Sequence, residues 1–296
     1  MTISEATIPT ATETPHVIEG FYRAFSGGDP EAAAEHLTSD FIMHVPGRGL
    51  NAGDYWGREG FKRFVRYIHA YNGGRFDQRL TALAVGDDDV FTREVVALNR
   101  RVDPEVDWNL EFIMHYRMKS GLISEAWTIP VDLHAYDRYW NQSSTPRPAV
   151  RPAVSAQSAA IEAATSPDNL ALVQTWYDHF WNGELFGMRA LMTDDFTWHT
   201  PGTSDLAGNY EGWDGYLSLR DNLLALAGDK YKLDLDGRAA SETDAFVKEH
   251  IRMNREHDPR VRTVEVILHL EIADGRIANV DDIPVDLHAY EAFYSV

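Results

Sequence analysis

The sequence predicts two α+β domains in tandem, each a few helices followed by a run of long strands. Three observations predict this. The chain repeats itself over most of its 296 residues. Within each copy, segments with helical spacing of apolar residues precede segments with strand-like alternation. Turn-forming dipeptides then separate the strands at short intervals. Helices first and a strand meander after is an α+β pattern.

The repeat is read directly. A shift of 155 residues aligns Tyr22 with Tyr177, Asp40-Phe41 with Asp195-Phe196, His44 with His199, and Pro46-Gly47 with Pro201-Gly202. It still holds at Phe91/Phe246, Glu94/Glu249 and Asp103-Pro104/Asp258-Pro259. One residue is then lost, so that His115 meets His269 and Gly121 meets Gly275. The octapeptide IPVDLHAY occurs unchanged as Ile129–Tyr136 and Ile283–Tyr290. Each copy has the length of an ordinary domain, so this is a domain duplication and not a solenoid. The expected organisation is a flexible tail over 1–15, domain 1 over 16–140, a linker over 141–169 and domain 2 over 170–296. The linker is rich in Pro, Ala and Ser and reads as extended, with a short helix at Ser158–Thr165.

In order along each copy, His16–Phe25 and Leu170–Trp181 read as first helices, stopped by Gly-Gly-Asp-Pro and Asn-Gly. Second helices start near Pro30 and Leu185. Short strands carrying His44 and His199 follow, then third helices at 57–70 and 213–227. In copy one, strands are expected at about 76–85, 90–101, 108–119 and 122–129. Gly86-Asp87-Asp88-Asp89, Asp103-Pro104 and Ser120-Gly121 mark the turns between them.

Composition narrows the function classes. The 27 Lys and Arg against 46 Asp and Glu leave a formal charge of −19. So acidic a chain suits neither a phosphate backbone nor an anionic membrane. Zero cysteine removes disulfides, thiolate metal sites and a cysteine nucleophile. With no apolar leader, the expected location is the cytoplasm. No phosphate-binding loop, dinucleotide fingerprint, nucleophile elbow or HExxH is present.

The order of these pieces carries a resemblance. An aromatic pair on the first helix (Phe21-Tyr22, Trp176-Tyr177) precedes Asp-Phe…His-x-Pro-Gly (40–47, 195–202). The last strand then reads Gly121-Leu-Ile…Trp127 in copy one and Gly275-Arg-Ile…Asp286 in copy two. This is similar to the SnoaL-like branch of the nuclear transport factor 2-like superfamily. The resemblance implies a cone-shaped, curved antiparallel sheet closed by amino-terminal helices over an apolar pocket. It implies no organic cofactor, and activities such as polyketide cyclisation, isomerisation or dehydration; other members only bind. Two fused copies look like an intramolecular pseudo-dimer, and a homodimer of whole chains stays open.

The expected site residues follow from these readings. If Asp103-Pro104-Glu105-Val106 is a tight turn, Glu94 lies opposite His115 on one face, and Glu249 near His269. A Glu among apolar neighbours facing a His is either an acid/base pair or a structural ion pair. His44 and His199 are pocket or structural histidines. Asp132 and Asp286 are catalytic, or mark a turn after Pro130 and Pro284. The family's cyclase aspartate falls on Thr128 in copy one and Asp282 in copy two, so only copy two carries the cyclase-like His/Asp pair. Tyr22, Trp127 and Tyr177 are expected in the pocket wall. The leading expectation is a cofactor-independent acid/base enzyme on an apolar, carbonyl-bearing small molecule. The alternatives are a non-catalytic binding protein, or a metal-dependent enzyme using His44/Glu94/His115 and His199/Glu249/His269.

Overall fold

The computed structural model describes residues 14–141, 165–227, 231–255 and 258–295. Residues 1–13 of the expected tail and 142–164 of the expected linker, with all but the last residue of its short helix, lie outside these residues. The chain divides into two compact units, Met1–Ala163 and Ala164–Val296, referred to below as domains 1 and 2.

Domain 1 runs α1 (Thr14–Ser26), α2 (Pro30–Glu35), β1 (Leu37–Val45), β2 (Gly53–Trp56), α3 (Gly57–Tyr71), β3 (Asn72–Val85), β4 (Asp89–Arg100), β5 (Asp103–Lys119), β6 (Leu122–Pro130) and α4 (Leu133–Trp140). Domain 2 repeats it as α5 (Pro167–Asn182), α6 (Leu185–Ala190), β7 (Met192–Thr200), β8 (Gly208–Glu211), α7 (Gly212–Ala227), β9 (Lys232–Ala240), β10 (Asp244–Arg255), β11 (Asp258–Ala273), β12 (Arg276–Pro284) and α8 (Leu287–Tyr294).

Each element has a local cause. In α3 the buried residues Phe61, Phe64, Val65, Ile68 and Tyr71 recur at helical spacing, which makes one apolar stripe. Asp29 caps α2 by accepting from the Glu31 and Ala32 amides, ahead of Pro30 in the first turn. The hairpins β5–β6 and β11–β12 turn through Ser120-Gly121 and Asp274-Gly275. Both residues of each pair have positive φ, as a two-residue primed turn requires.

Within domain 1 the strand order is β2-β1-β6-β5-β4-β3, and domain 2 repeats it as β8-β7-β12-β11-β10-β9. One expectation is corrected here. The sheets are not wholly antiparallel, because β1 pairs with β6 and β7 with β12 in parallel. These partners are far apart in sequence, and only such long connections permit parallel neighbours. Register shifts within β3–β4, β4–β5 and β5–β6 bend the ladder.

The repeated Pro-Gly after β1 and β7 has a packing reason. Gly47 and Gly202 take φ of 97° and 88°, and a side chain there would strike Asp137 or Glu291 on the last helix of its own domain. Those carboxylates accept the amides of the loop: Arg48 N at 2.7 Å and Gly49 N at 3.0 Å on Asp137, and Thr203 N at 2.8 Å on Glu291.

Candidate functional site

Strand alternation gives each sheet two faces, and the register decides which residues share one. In domain 1, Phe91 pairs with His115 and Glu94 with Phe112. In domain 2, Phe246 pairs with His269 and Glu249 with Val266. The expected cross-strand Glu94–His115 and Glu249–His269 pairs are therefore corrected: each Glu and each His lie on opposite faces. The cause is the turn. The strands reverse at Arg101-Val102, with Arg100 paired to Asp103 and its guanidinium bonded to the Asp103 carboxylate. Asp103-Pro104-Glu105-Val106 belongs to β5, and an irregularity brings Asp107 opposite Asn99. That register is odd-for-even relative to the expected one, and a shift of odd size exchanges the faces.

One face of each sheet lines a cavity. In domain 1 about 650 Å³ of non-protein space, counting its open mouth, lies among residues that include Tyr22, Gln78, Glu94, Thr128 and Tyr136. The domain 2 cavity, about 630 Å³ on the same measure, is lined in part by Tyr177, Arg220, Glu249, Asp282 and Tyr290. Each is closed by residues of the first, third and last helices of its own domain.

The domain 2 cavity holds two buried carboxyls. Tyr177 donates its hydroxyl proton to Glu249 Oε1. Tyr290 donates to Asp282 Oδ2 at 2.5 Å, while Asp282 Oδ1 is buried with no hydrogen-bond partner among the described residues. Burial pushes Glu249 up to about 8, and the Asp282 charge adds to the rise. Burial likewise pushes Asp282 up to about 7. Tyr177 and Tyr290 are raised well above the ordinary phenol value, first by burial and then by the neighbouring carboxylates, so both remain donors. Near neutral pH the pair can hold one acid and one base.

The domain 1 cavity is built differently at the same positions. Glu94 is its carboxyl, pushed to about 7 by burial, and Gln78 Nε2 donates to it at 2.7 Å. Tyr116 donates to the Tyr22 hydroxyl at 2.8 Å, and Tyr22 lies 2.7 Å from Thr92 Oγ1. Thr128 stands where domain 2 has Asp282, and Asn51 where it has Leu206. Asn51 bonds the Tyr136 hydroxyl, the counterpart of Tyr290.

The opposite face carries the histidines. Across the five strands β4, β5, β6, β1 and β2 runs one continuous row, Phe91, His115, Trp127, His44 and Asp54. His115 stacks on Phe91 at 4.3 Å and on Trp127 at 4.6 Å, and His44 stacks on Trp127 at 5.2 Å. Asp89 bonds His115 Nε2 at 2.6 Å; Asp54 and Glu125 bond the two nitrogens of His44. Domain 2 repeats the row as Phe246, His269, Asp281, His199 and Asn209. His44, His115, His199, His269 and Trp127 thus lie outside the cavities, whereas Glu94, Glu249, Asp282, Tyr22 and Tyr177 line them.

Two further expectations are corrected by this placement. The cyclase-like pair of His269 and Asp282 is divided by the sheet, because His269 pairs with Asp281 and Asp282 with Leu268. The metal sets His44/Glu94/His115 and His199/Glu249/His269 are divided in the same way. Asp132 and Asp286 are helix caps, accepting from the Ala135 amide at 2.8 Å and the Ala289 amide at 3.2 Å. Among the described residues of domain 2, a different cation-type donor set does converge. His269, Glu271 and Asp281 bring ligand atoms within 4.8 Å of one another, on the histidine face. Tyr290, Tyr136, Gln78 and Asn51 were not singled out from sequence. The spacing of Leu133, Tyr136 and Trp140 was the signal for a buried helix face that went unread.

A model of the SnoaL-like domain matches the chain twice, at residues 18–126 and 173–280. The chain belongs to the SnoaL-like family. No curated protein sequence matches it. Solved structures similar to it include Bal32a from a soil-derived mobile gene cassette, at 21% identity and a TM-score of 0.40, where 43% of this chain covers 96% of that one. An NTF2-like protein from Burkholderia pseudomallei shares 19% identity with a TM-score of 0.40, over 44% of this chain and 100% of that one. A putative SnoaL-like polyketide cyclase from Jannaschia sp. shares 16% identity with a TM-score of 0.38, over 44% and 96%. Each domain of the chain is thus a SnoaL-like α+β unit. No helix among the described residues is long and apolar enough to cross a membrane.

Proposed function

We propose that domain 2 is a cofactor-independent acid/base catalyst acting on an apolar, carbonyl-bearing small molecule, with cyclisation, isomerisation or dehydration as the outcome. The observation that carries this reading is the pair of buried carboxyls, Glu249 and Asp282, in one cavity whose other walls are mainly aromatic and aliphatic. The unpartnered Asp282 Oδ1 takes a proton from the carbon next to the carbonyl. Protonated Glu249 donates a hydrogen bond to the oxygen on which the enolate charge develops. Asp282 then gives the proton up, to the product in cyclisation or isomerisation and to the departing hydroxyl as water in dehydration, so the catalyst gains and loses none. Burial serves both steps, since it raises the basicity of Asp282 and keeps Glu249 protonated.

The test needs no knowledge of the natural substrate. The α-protons of 2-tetralone exchange with D2O through the enolate, and NMR follows their loss. The wild-type protein is expected to accelerate exchange above the buffer rate. Asp282→Asn and Glu249→Gln are each expected to reduce that acceleration by about a hundredfold. Exchange at the buffer rate in the wild type, or undiminished in Asp282→Asn, refutes the reading.

A further inference from the structure

We infer that the domain 1 cavity is a second small-molecule site, which holds a neutral apolar ligand bearing a hydroxyl or carbonyl group and does not turn it over. The inference rests on the reading of domain 2 as the catalytic copy, and on how the two cavities differ at matched positions.

Three of the replacements in and beside the cavities change hydrogen-bonding groups around the carboxyls. Asp282 becomes Thr128, Leu206 becomes Asn51 and Leu233 becomes Gln78. The first removes the second carboxyl, so domain 1 has no partner for Glu94 in a two-group proton transfer. The other two supply neutral amides. Asn51 engages the Tyr136 hydroxyl, whose counterpart in domain 2 serves Asp282. Gln78 donates to Glu94 Oε2 at 2.7 Å, where domain 2 offers a leucine. The lack of a second carboxyl leaves Glu94 in a role of holding rather than transferring a proton.

The cavity is nonetheless not filled in. Its space matches that of domain 2, and its walls include Phe21, Phe25, Phe64, Ile68 and Phe112. Among the described residues that line it, none is Lys, Arg or His, whereas Arg220 lines the domain 2 cavity. An anionic ligand would therefore meet Glu94 and no compensating charge. Thr128 supplies the polar anchor. It is 7% exposed, and its Oγ1 is buried with no hydrogen-bond partner among the described residues. A buried hydroxyl left unpaired costs stability, and a ligand hydroxyl or carbonyl relieves that cost. A threonine hydroxyl both donates and accepts, so either ligand group serves.

The probe is 1-naphthol, a neutral bicyclic phenol, titrated calorimetrically into the full chain. Two molecules per chain are expected for the wild type. Leu110→Trp fills the domain 1 cavity and is expected to leave one. Thr128→Val keeps the side-chain volume and removes the hydroxyl. It is expected to weaken one of the two sites about three- to tenfold and spare the other. This milder variant keeps the test decisive if Leu110→Trp does not fold. One molecule per chain in the wild type, undiminished in Leu110→Trp, overturns the inference. So does a Thr128→Val chain with both affinities unchanged. If folded Leu110→Trp loses 2-tetralone exchange, domain 1 is a catalytic copy and the inference again fails. Two bound probes with no exchange in the wild type instead identify the catalytic reading as the one that failed.

Discussion

Replacing Glu249 with Gln should change how stability depends on pH, by an amount the structure sets. Glu249 is buried, with a folded-state value of about 8 against an ordinary 4.5. At ~1.36 kcal/mol per pH unit, that gap of about 3.5 makes ionisation in the folded state cost about 5 kcal/mol. The sign follows from where the protons are. Below pH 4.5 both folded and unfolded chains carry the proton, and the penalty is absent. Between 4.5 and 8 the unfolded chain releases its proton while the folded chain keeps it, so stability falls as pH rises. Above 8 the loss is complete. Between pH 5 and pH 8 the Glu249 contribution alone is about 3–4 kcal/mol. Glutamine has the same shape, accepts the Tyr177 hydroxyl at its carbonyl oxygen, and does not titrate. The assay is a series of urea melts of both proteins from pH 5 to pH 8.5, read as the variant minus the wild type at each pH. Slopes from groups that do not interact with Glu249, Glu94 among them, largely cancel in that difference; the slope of Asp282, whose charge acts on Glu249, cancels only in part. The variant should be near the wild type or slightly weaker at pH 5, and more stable by several kcal/mol at pH 8.5. A difference that stays flat across this range would mean that Glu249 ionises at its ordinary value, and the buried acid of the proposed mechanism would be gone with it.

The proposed chemistry also predicts a narrow pH profile. Catalysed 2-tetralone exchange should rise through about pH 7 as Asp282 ionises and fall above about pH 8 as Glu249 loses its proton. A monotonic rise with pH would contradict these roles. Asp286→Ala should cost about 1 kcal/mol in melting experiments, through loss of the α8 cap, and leave exchange intact; a large loss of exchange in a folded variant would restore a direct role for Asp286. Trp127→Ala removes the ring between His44 and His115 and should destabilise by about 3–5 kcal/mol without altering 1-naphthol stoichiometry.

How much of this was legible in the sequence turns on what repetition can and cannot record. The duplication, the helix order, the meander and its turns were readable, because each is written in local spacing and turn chemistry. The register was not. Whether Glu94 faces His115 depends on where a hairpin reverses and how many residues it absorbs, and one odd step exchanges every face. Identity between the copies misled in a related way. The octapeptide carries Asp132 and Asp286 unchanged, yet a helix cap constrains an aspartate as firmly as catalysis would, so retention alone could not choose between them. The informative positions were those where the copies differ. Thr128 against Asp282 was visible in the alignment. Its meaning required the third dimension, which sets it in one cavity wall with Gln78 against Leu233, and behind that wall Asn51 against Leu206, bonded to the Tyr136 hydroxyl. A duplicated chain constrained only to fold would be free to vary those three positions independently. Their joint change, from two carboxyls with tyrosine donors to one carboxyl among amides, is what a division between transforming a molecule and holding one would require.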